Sequence, residues 1–244
     1  MTRTDNGQWT ETKDGVDQSM MLRTDSSPNV TADDAEALAT VWTVLSRVLA
    51  KAPSAEVVHN LQSPELLQDW PLLPRSRAVP DELAFGLEEL ARSGGRNEDP
   101  AVISDDYVRL LRGPGPALVY PFESVYRSRE GLIFDEETMQ VRHWYARFGL
   151  AAPYLNREPD DHIHLELEFC ATLLQSGLDA MDRARPEKAL VFFEAHTDFC
   201  REHLLVWAPT FFELLSRHAS THFYRGVAAL GQHALRRAGD PQMT

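Results

Sequence analysis

From Ile163 the chain sets apolar side chains at Leu167, Cys170, Leu174 and Leu178, a spacing of i, i+4, i+7, i+11 and i+15, with no turn residue before Gly177. That is one face of an α-helix sustained for about four turns. The start of the run also suits a strand, because His162-Ile163-His164-Leu165-Glu166-Leu167-Glu168-Phe169 alternates polar and apolar residues. A strand would line up His162, His164, Glu166 and Glu168 on one face, whereas a helix pairs His162 with Glu166 and His164 with Glu168. The continuation to Leu178 decides for the helix.

No other segment offers a strand ladder. Thr31-Ala32-Asp33-Asp34 caps a helix whose Leu38, Val41, Trp42, Leu45, Val48 and Leu49 recur at three- and four-residue spacing. Helical patterns follow at roughly 54–70, 80–93, 100–112, 135–148, 159–182, 186–204, 207–218 and 220–238, separated by proline- and glycine-bearing pieces. The sequence predicts an all-α fold: one globular helical-bundle domain over 29–244, in two helical parts joined by a hinge near 150–160. Residues 1–28 are rich in Thr, Asp, Ser and Gly and are expected to form a disordered tail, because they bury too little apolar surface to offset ordering entropy.

Charge narrows the function. Thirty-seven acids against 24 Lys and Arg leave a formal net charge of −13. Nucleic acid or an anionic membrane would demand a basic stripe, so neither is an expected partner; a basic peptide is the natural complement. The longest apolar runs are too short to span a bilayer, and residues 1–28 lack the apolar core of a secretory signal. Cys170 and Cys200 lie in apolar helical patterns with no Cys-x-x-Cys, which reads as two buried thiols in a reducing, cytoplasmic setting.

The most informative stretch is Glu158-Pro159-Asp160-Asp161-His162-Ile163. Pro159 suits a first helical position, and Asp160 and Asp161 then sit where the positive end of the helix dipole favours carboxylates. From Glu158 to Asp182 no Lys or Arg appears. A well-capped helix with exposed acids accounts for these residues; so does an acidic docking face.

The same stretch, Glu-Pro-x-Asp-His followed by an apolar helix, resembles the signature of the TorD/DmsD/NarJ family of redox-enzyme maturation chaperones. A second segment agrees: Tyr107-Val108-Arg109-Leu110-Leu111-Arg112-Gly113-Pro114-Gly115, then Tyr120-Pro121-Phe122-Glu123-Ser124-Val125-Tyr126, is similar to that family's Y-x-x-L-F-x-G-P-G and P-W-E-S-V-Y pattern. Leu111 stands where the family often has Phe and Phe122 where it often has Trp, departures that keep an apolar residue. The resemblance implies a TorD-like helical chaperone and not an enzyme, with no cofactor of its own. It would bind the apo catalytic subunit of a molybdenum oxidoreductase of the dimethyl-sulfoxide-reductase type, or its twin-arginine leader, before pterin insertion and export. It would act as a monomer or homodimer. The implied peptide-binding residues are Glu158, Pro159, Asp161, His162, Tyr120, Phe122, Glu123 and Tyr126.

The competing class is a helical enzyme, metal-dependent or acid–base, built on His162, His164, Glu166 and Glu168. Among His162, His164, Glu166, Glu168, His196 and His203 there is neither a Glu-x-x-His nor a His-Glu-x-x-His pair, and His196 and His203 suit core or surface positions equally, so no metal site is expected from them. No Gly-x-Ser-x-Gly elbow is present, and Gly113-Pro114-Gly115-Pro116 loses N–H donors at its prolines and lacks a following Lys-Ser/Thr, so it is no phosphate cradle.

Overall fold

A computed structural model of the chain describes residues 10–11, 31–75, 78–113, 117–128, 136–152 and 159–240. The tail expected over 1–28 lies outside these save for Thr10–Glu11, as does much of the hinge expected near 150–160, including Glu158.

Eleven α-helices occur among the described residues: α1 (Ala32–Ala50), α2 (Ala55–Leu61), α3 (Pro64–Gln68), α4 (Asp81–Gly95), α5 (Pro100–Tyr107), α6 (Glu123–Arg127), α7 (Glu136–Arg147), α8 (Ile163–Asp182), α9 (Pro186–Phe199), α10 (Leu205–His218) and α11 (His222–Ala238). The all-α expectation holds. The strand content described is one antiparallel pair, β1 (Thr10–Glu11) and β2 (Leu150–Ala151), matched Thr10 to Ala151 and Glu11 to Leu150.

Local chemistry explains most boundaries. Thr31 Oγ1 accepts from Asp34 N at 3.1 Å and caps α1, as Ser54, Ser63 and Asp99 cap α2, α3 and α5 with their own side chains. The single helix expected over 54–70 is two, because Ser63-Pro64 restarts the chain with a fresh cap and a proline that offers no N–H. The expected break between α9 and α10 is instead a π-helical turn, Cys200–Leu204, so the helical run continues without interruption into α10, which contains Pro209. A second π turn, Val108–Arg112, extends α5 and stops at Gly113, whose φ of 58° suits a residue without Cβ.

The α8 helix is the centre of the molecule. Its apolar stripe of Ile163, Leu167, Cys170 and Leu174 is buried, with α1 along one side and α9 along another. The α11 helix packs on α4 and α10. There the backbones touch: a Cβ on Gly226 would lie 2.9 Å from the carbonyl oxygen of Gly86. Phe148, Phe169 and Phe199 join Trp144 and Tyr145 in an aromatic core between α7, α8 and α9. None of the helices described is long and apolar enough to cross a membrane.

Candidate functional site

The two motif-bearing segments, separated by an intervening helix, meet directly. Ile163 N donates to Pro121 O at 2.8 Å and Glu123 N donates to Asp161 O at 3.0 Å. Phe122 and His162 thus face each other across an antiparallel bridge at the point where α6 and α8 both begin. Each segment satisfies backbone groups that a helix start leaves open in the other.

Side chains lock this joint. The Asp161 carboxylate is fully buried; its Oδ2 accepts from Ser124 N at 2.8 Å and its Oδ1 from Thr138 Oγ1 at 2.8 Å. One carboxylate therefore holds the start of α6 to α7. Asp160, equally buried, receives Arg142 Nη2 at 2.6 Å and Nε at 3.0 Å, and its carbonyl accepts from Tyr145 Oη at 3.0 Å.

These positions correct two expectations. The α8 helix begins at Ile163 with His162 as its N-cap, so Pro159 lies buried in the preceding turn and not at the first helical position. The reason is chemical: His162 Nδ1 accepts from His164 N at 3.2 Å, while the bridge to Phe122 holds the backbone before it extended. Nor are Asp160 and Asp161 an exposed acidic face. The run lacks cations of its own, but Arg142 arrives from α7, and folding turns both carboxylates inward.

A second layer lies beneath the joint. Glu123, fully buried, faces His203 Nδ1 at 2.8 Å and pairs with Arg127, which also donates to Glu202 O at 3.1 Å. Glu166 Oε2 accepts from Trp207 Nε1 at 3.1 Å, and its Oε1 has no hydrogen-bond partner among the described residues. Burial, followed by the nearby Glu123 charge, pushes the Glu166 carboxyl well above its ordinary range. Burial likewise holds the His162 imidazole far below its usual value, with His164 and Arg112 adding to the effect. It brings His164 down to about 3.

Apolar side chains are accessible beside the joint. Burial alternates along 118–121: Leu118 and Tyr120 point outward, 44% and 37% exposed, while Val119 and Pro121 point inward. Phe122 is half-buried, its ring edge-on to His162 at 5.1 Å. Tyr126 is half-buried too, its ring 5.3 Å from that of Trp207. Of the residues singled out from sequence, Phe122, Glu123, Asp161 and His162 converge on the joint, Pro159 lies just before it, Tyr120 and Tyr126 flank it, and Glu158 lies outside the described residues.

Thr138 and Arg142 were missed. They lie one turn apart on α7, and no sequence pattern ties them to Asp160 and Asp161. Ser124 was legible as part of the motif, though not as the donor to Asp161.

The His162 and His164 rings lie 4.4 Å apart and are tilted by 53°, while Glu166 turns toward Trp207. Among the described residues, His162, His164, Glu166 and Glu168 form no group able to hold one ion. This helical scaffold spends its motif residues on fastening one another and displays apolar side chains beside them. The chain belongs to the nitrate reductase delta subunit family, whose model matches residues 76–213. It is 24% identical over 195 residues to the chaperone protein TorD of Aliivibrio fischeri, covering 80% of this chain and 89% of the relative. Against the TorD chaperone of Vibrio cholerae, identity is 26% over 195 residues, 80% of this chain and 87% of the relative. A probable Tat proofreading chaperone DmsD of Haemophilus influenzae is 32% identical over 128 residues, 52% of this chain and 56% of that protein. The chain is a chaperone of this family, not an enzyme.

Proposed function

We propose that this chaperone acts in the cytoplasm on a molybdopterin-containing oxidoreductase of the dimethyl-sulfoxide-reductase type. It binds the apoenzyme, through its twin-arginine leader where one exists, before cofactor insertion and export. The observation that supports this reading is the bridge between Phe122 and His162, which fuses the two family-like motifs into one joint beside exposed Tyr120 and Leu118. A leader with a basic segment followed by an apolar one needs an apolar seat in a negative field. Tyr120, Phe122 and Tyr126 supply the seat, and the net charge of −13 supplies the field.

The roles then divide. Asp161, His162, Pro159 and Glu123 position the seat from below, since their side chains are buried. Glu158, directly before them in the chain, is the carboxylate assigned to the leader's arginines. The test is titration of a fluorescent twin-arginine leader peptide into wild type, Tyr120→Ala and Glu158→Gln. Tyr120→Ala should weaken binding about tenfold or more at unchanged melting temperature, the size expected for an aromatic anchor. Glu158→Gln should reduce the salt dependence of binding. Wild-type affinity and salt dependence in both variants would remove the site assignment.

A further inference from the structure

Away from the joint, α8 contributes to a second cluster. Among the described residues, Cys170, His196 and Cys200 bring two thiols and an imidazole within 4.8 Å of one another, all buried. His196 and Cys200 lie at i and i+4 where α9 passes into its π turn, a spacing that puts both on one side of the helix. Cys170 reaches them from α8, packed alongside. Cys170 Sγ is 3.7 Å from Cys200 Sγ, and Cys200 Sγ is 3.5 Å from His196 Nε2.

Those two separations are those of ligands on one ion. With metal–sulfur bonds of about 2.3 Å and metal–nitrogen bonds of about 2.0–2.1 Å, a tetrahedral centre holds two sulfurs about 3.8 Å apart and sulfur and nitrogen about 3.6 Å apart. Two thiolates and an imidazole are soft donors, which suit Zn²⁺ or Cu(I) and not Mg²⁺ or Ca²⁺. We propose that Cys170, His196 and Cys200 form a structural site for one thiophilic d¹⁰ cation, Zn²⁺ or Cu(I), that ties α8 to α9. Binding releases the two thiol protons to solvent, and Zn²⁺ completes its shell with a small exogenous ligand. Trp42 Nε1 donates to the same His196 Nε2 at 3.3 Å, so the cation takes over that lone pair and frees the indole N–H. Both sulfurs are fully buried, so loading accompanies folding.

The test denatures the full chain in chelator and reductant and refolds it without oxygen in the presence of Zn²⁺, Co²⁺ as a spectroscopic stand-in, or Cu(I). After desalting, about one ion per chain is expected for Zn²⁺ or Cu(I). The Co²⁺ form should show thiolate-to-metal charge-transfer absorption, with a tryptophan fluorescence change that Trp42→Phe removes. Cys170→Ser and Cys200→Ser should each lower affinity at least about tenfold. Wild type that retains none of these ions overturns the proposal, as does retention that survives replacement of both cysteines. A Cys170–Cys200 disulfide in the refolded chain with no metal bound overturns it equally. Should the serine variants fail to fold, the charge-transfer bands of the wild type, present or absent, decide alone.

Discussion

Phe122 and His162 stand opposite each other in an antiparallel bridge, their rings meeting edge to face at a centroid separation of 5.1 Å. One residue precedes α6 and the other caps α8, so this contact sets two helix origins at once. The apolar seat around Tyr120 inherits its position from that pair. Disturbing the joint should therefore alter the seat without any exposed residue being changed.

Asp161 is the most sensitive member. Its carboxylate receives Ser124 N and Thr138 Oγ1, both at 2.8 Å in a fully buried setting. Hydrogen bonds to charged groups contribute about 1.5–3 kcal/mol each, so losing both in Asp161→Ala should lower stability by about 3 kcal/mol or more in urea unfolding. Asp161→Asn keeps one acceptor oxygen and should lose less. Stability within about 0.5 kcal/mol of wild type for the alanine variant would show that the joint is not held by this side chain.

The Arg142–Asp160 pair is asymmetric, with the aspartate fully buried and the arginine about a quarter exposed. Arg142→Met strands a carboxylate in the interior, which costs about 3 kcal/mol, the low end for a broken buried pair because water reaches the arginine side. Adding Asp160→Asn to Arg142→Met should recover part of that loss. If the second substitution deepens the loss instead, the pair is not coupled in the way the geometry indicates.

Two groups give stability opposite pH slopes. Burial, with Arg112 nearby, brings His164 from 6.5 down to about 3, so between those values the unfolded chain binds more protons and stability falls as the pH falls. Glu168 is pushed by burial from 4.5 up to about 7 against the pull of Arg47, so between those values the folded chain binds more protons and stability falls as the pH rises. His164→Gln should flatten the acid limb, and Glu168→Gln should flatten the slope between pH 4.5 and 7. Chemical denaturation across pH 4–8 reads both, and slopes unchanged in the variants would contradict the burial argument.

The contact between α4 and α11 depends on Gly226, where an added Cβ would meet the Gly86 carbonyl oxygen at 2.9 Å and Leu90 Cγ at 2.8 Å. Gly226→Ala should lower the melting temperature, at about 1–3 kcal/mol for overpacking, despite the better helix propensity of alanine. A melting temperature equal to or above the wild-type value would mean that the two helices can separate at little cost.

Much of the architecture was legible because helices follow from local pattern. The stripe from Ile163 to Leu178 and the Thr31 cap both specify helices through interactions a few residues apart, and both helices are present. The start of α8 was not legible in the same way. Pro159-Asp160-Asp161 has the local chemistry of a first helical turn, yet a backbone bridge from residues near 122 keeps it out of the helix. The acids beside it read as a solvated face for the same reason: the donors that hold them, Arg142 for Asp160 and Ser124 and Thr138 for Asp161, lie outside the local pattern.

By itself, then, the order of residues determined the helical class, the Thr31 cap and the two motifs by which the chain resembles this chaperone family, since each is written in a short stretch of chain. Only the tertiary structure decided that these motifs pair, that Asp160 and Asp161 are buried and receive hydrogen bonds from α6 and α7, and that Cys170 meets His196 and Cys200. The physical reason is that a carboxylate's charge state and exposure depend on which distant donors folding brings within 3 Å. No local pattern encodes that distance.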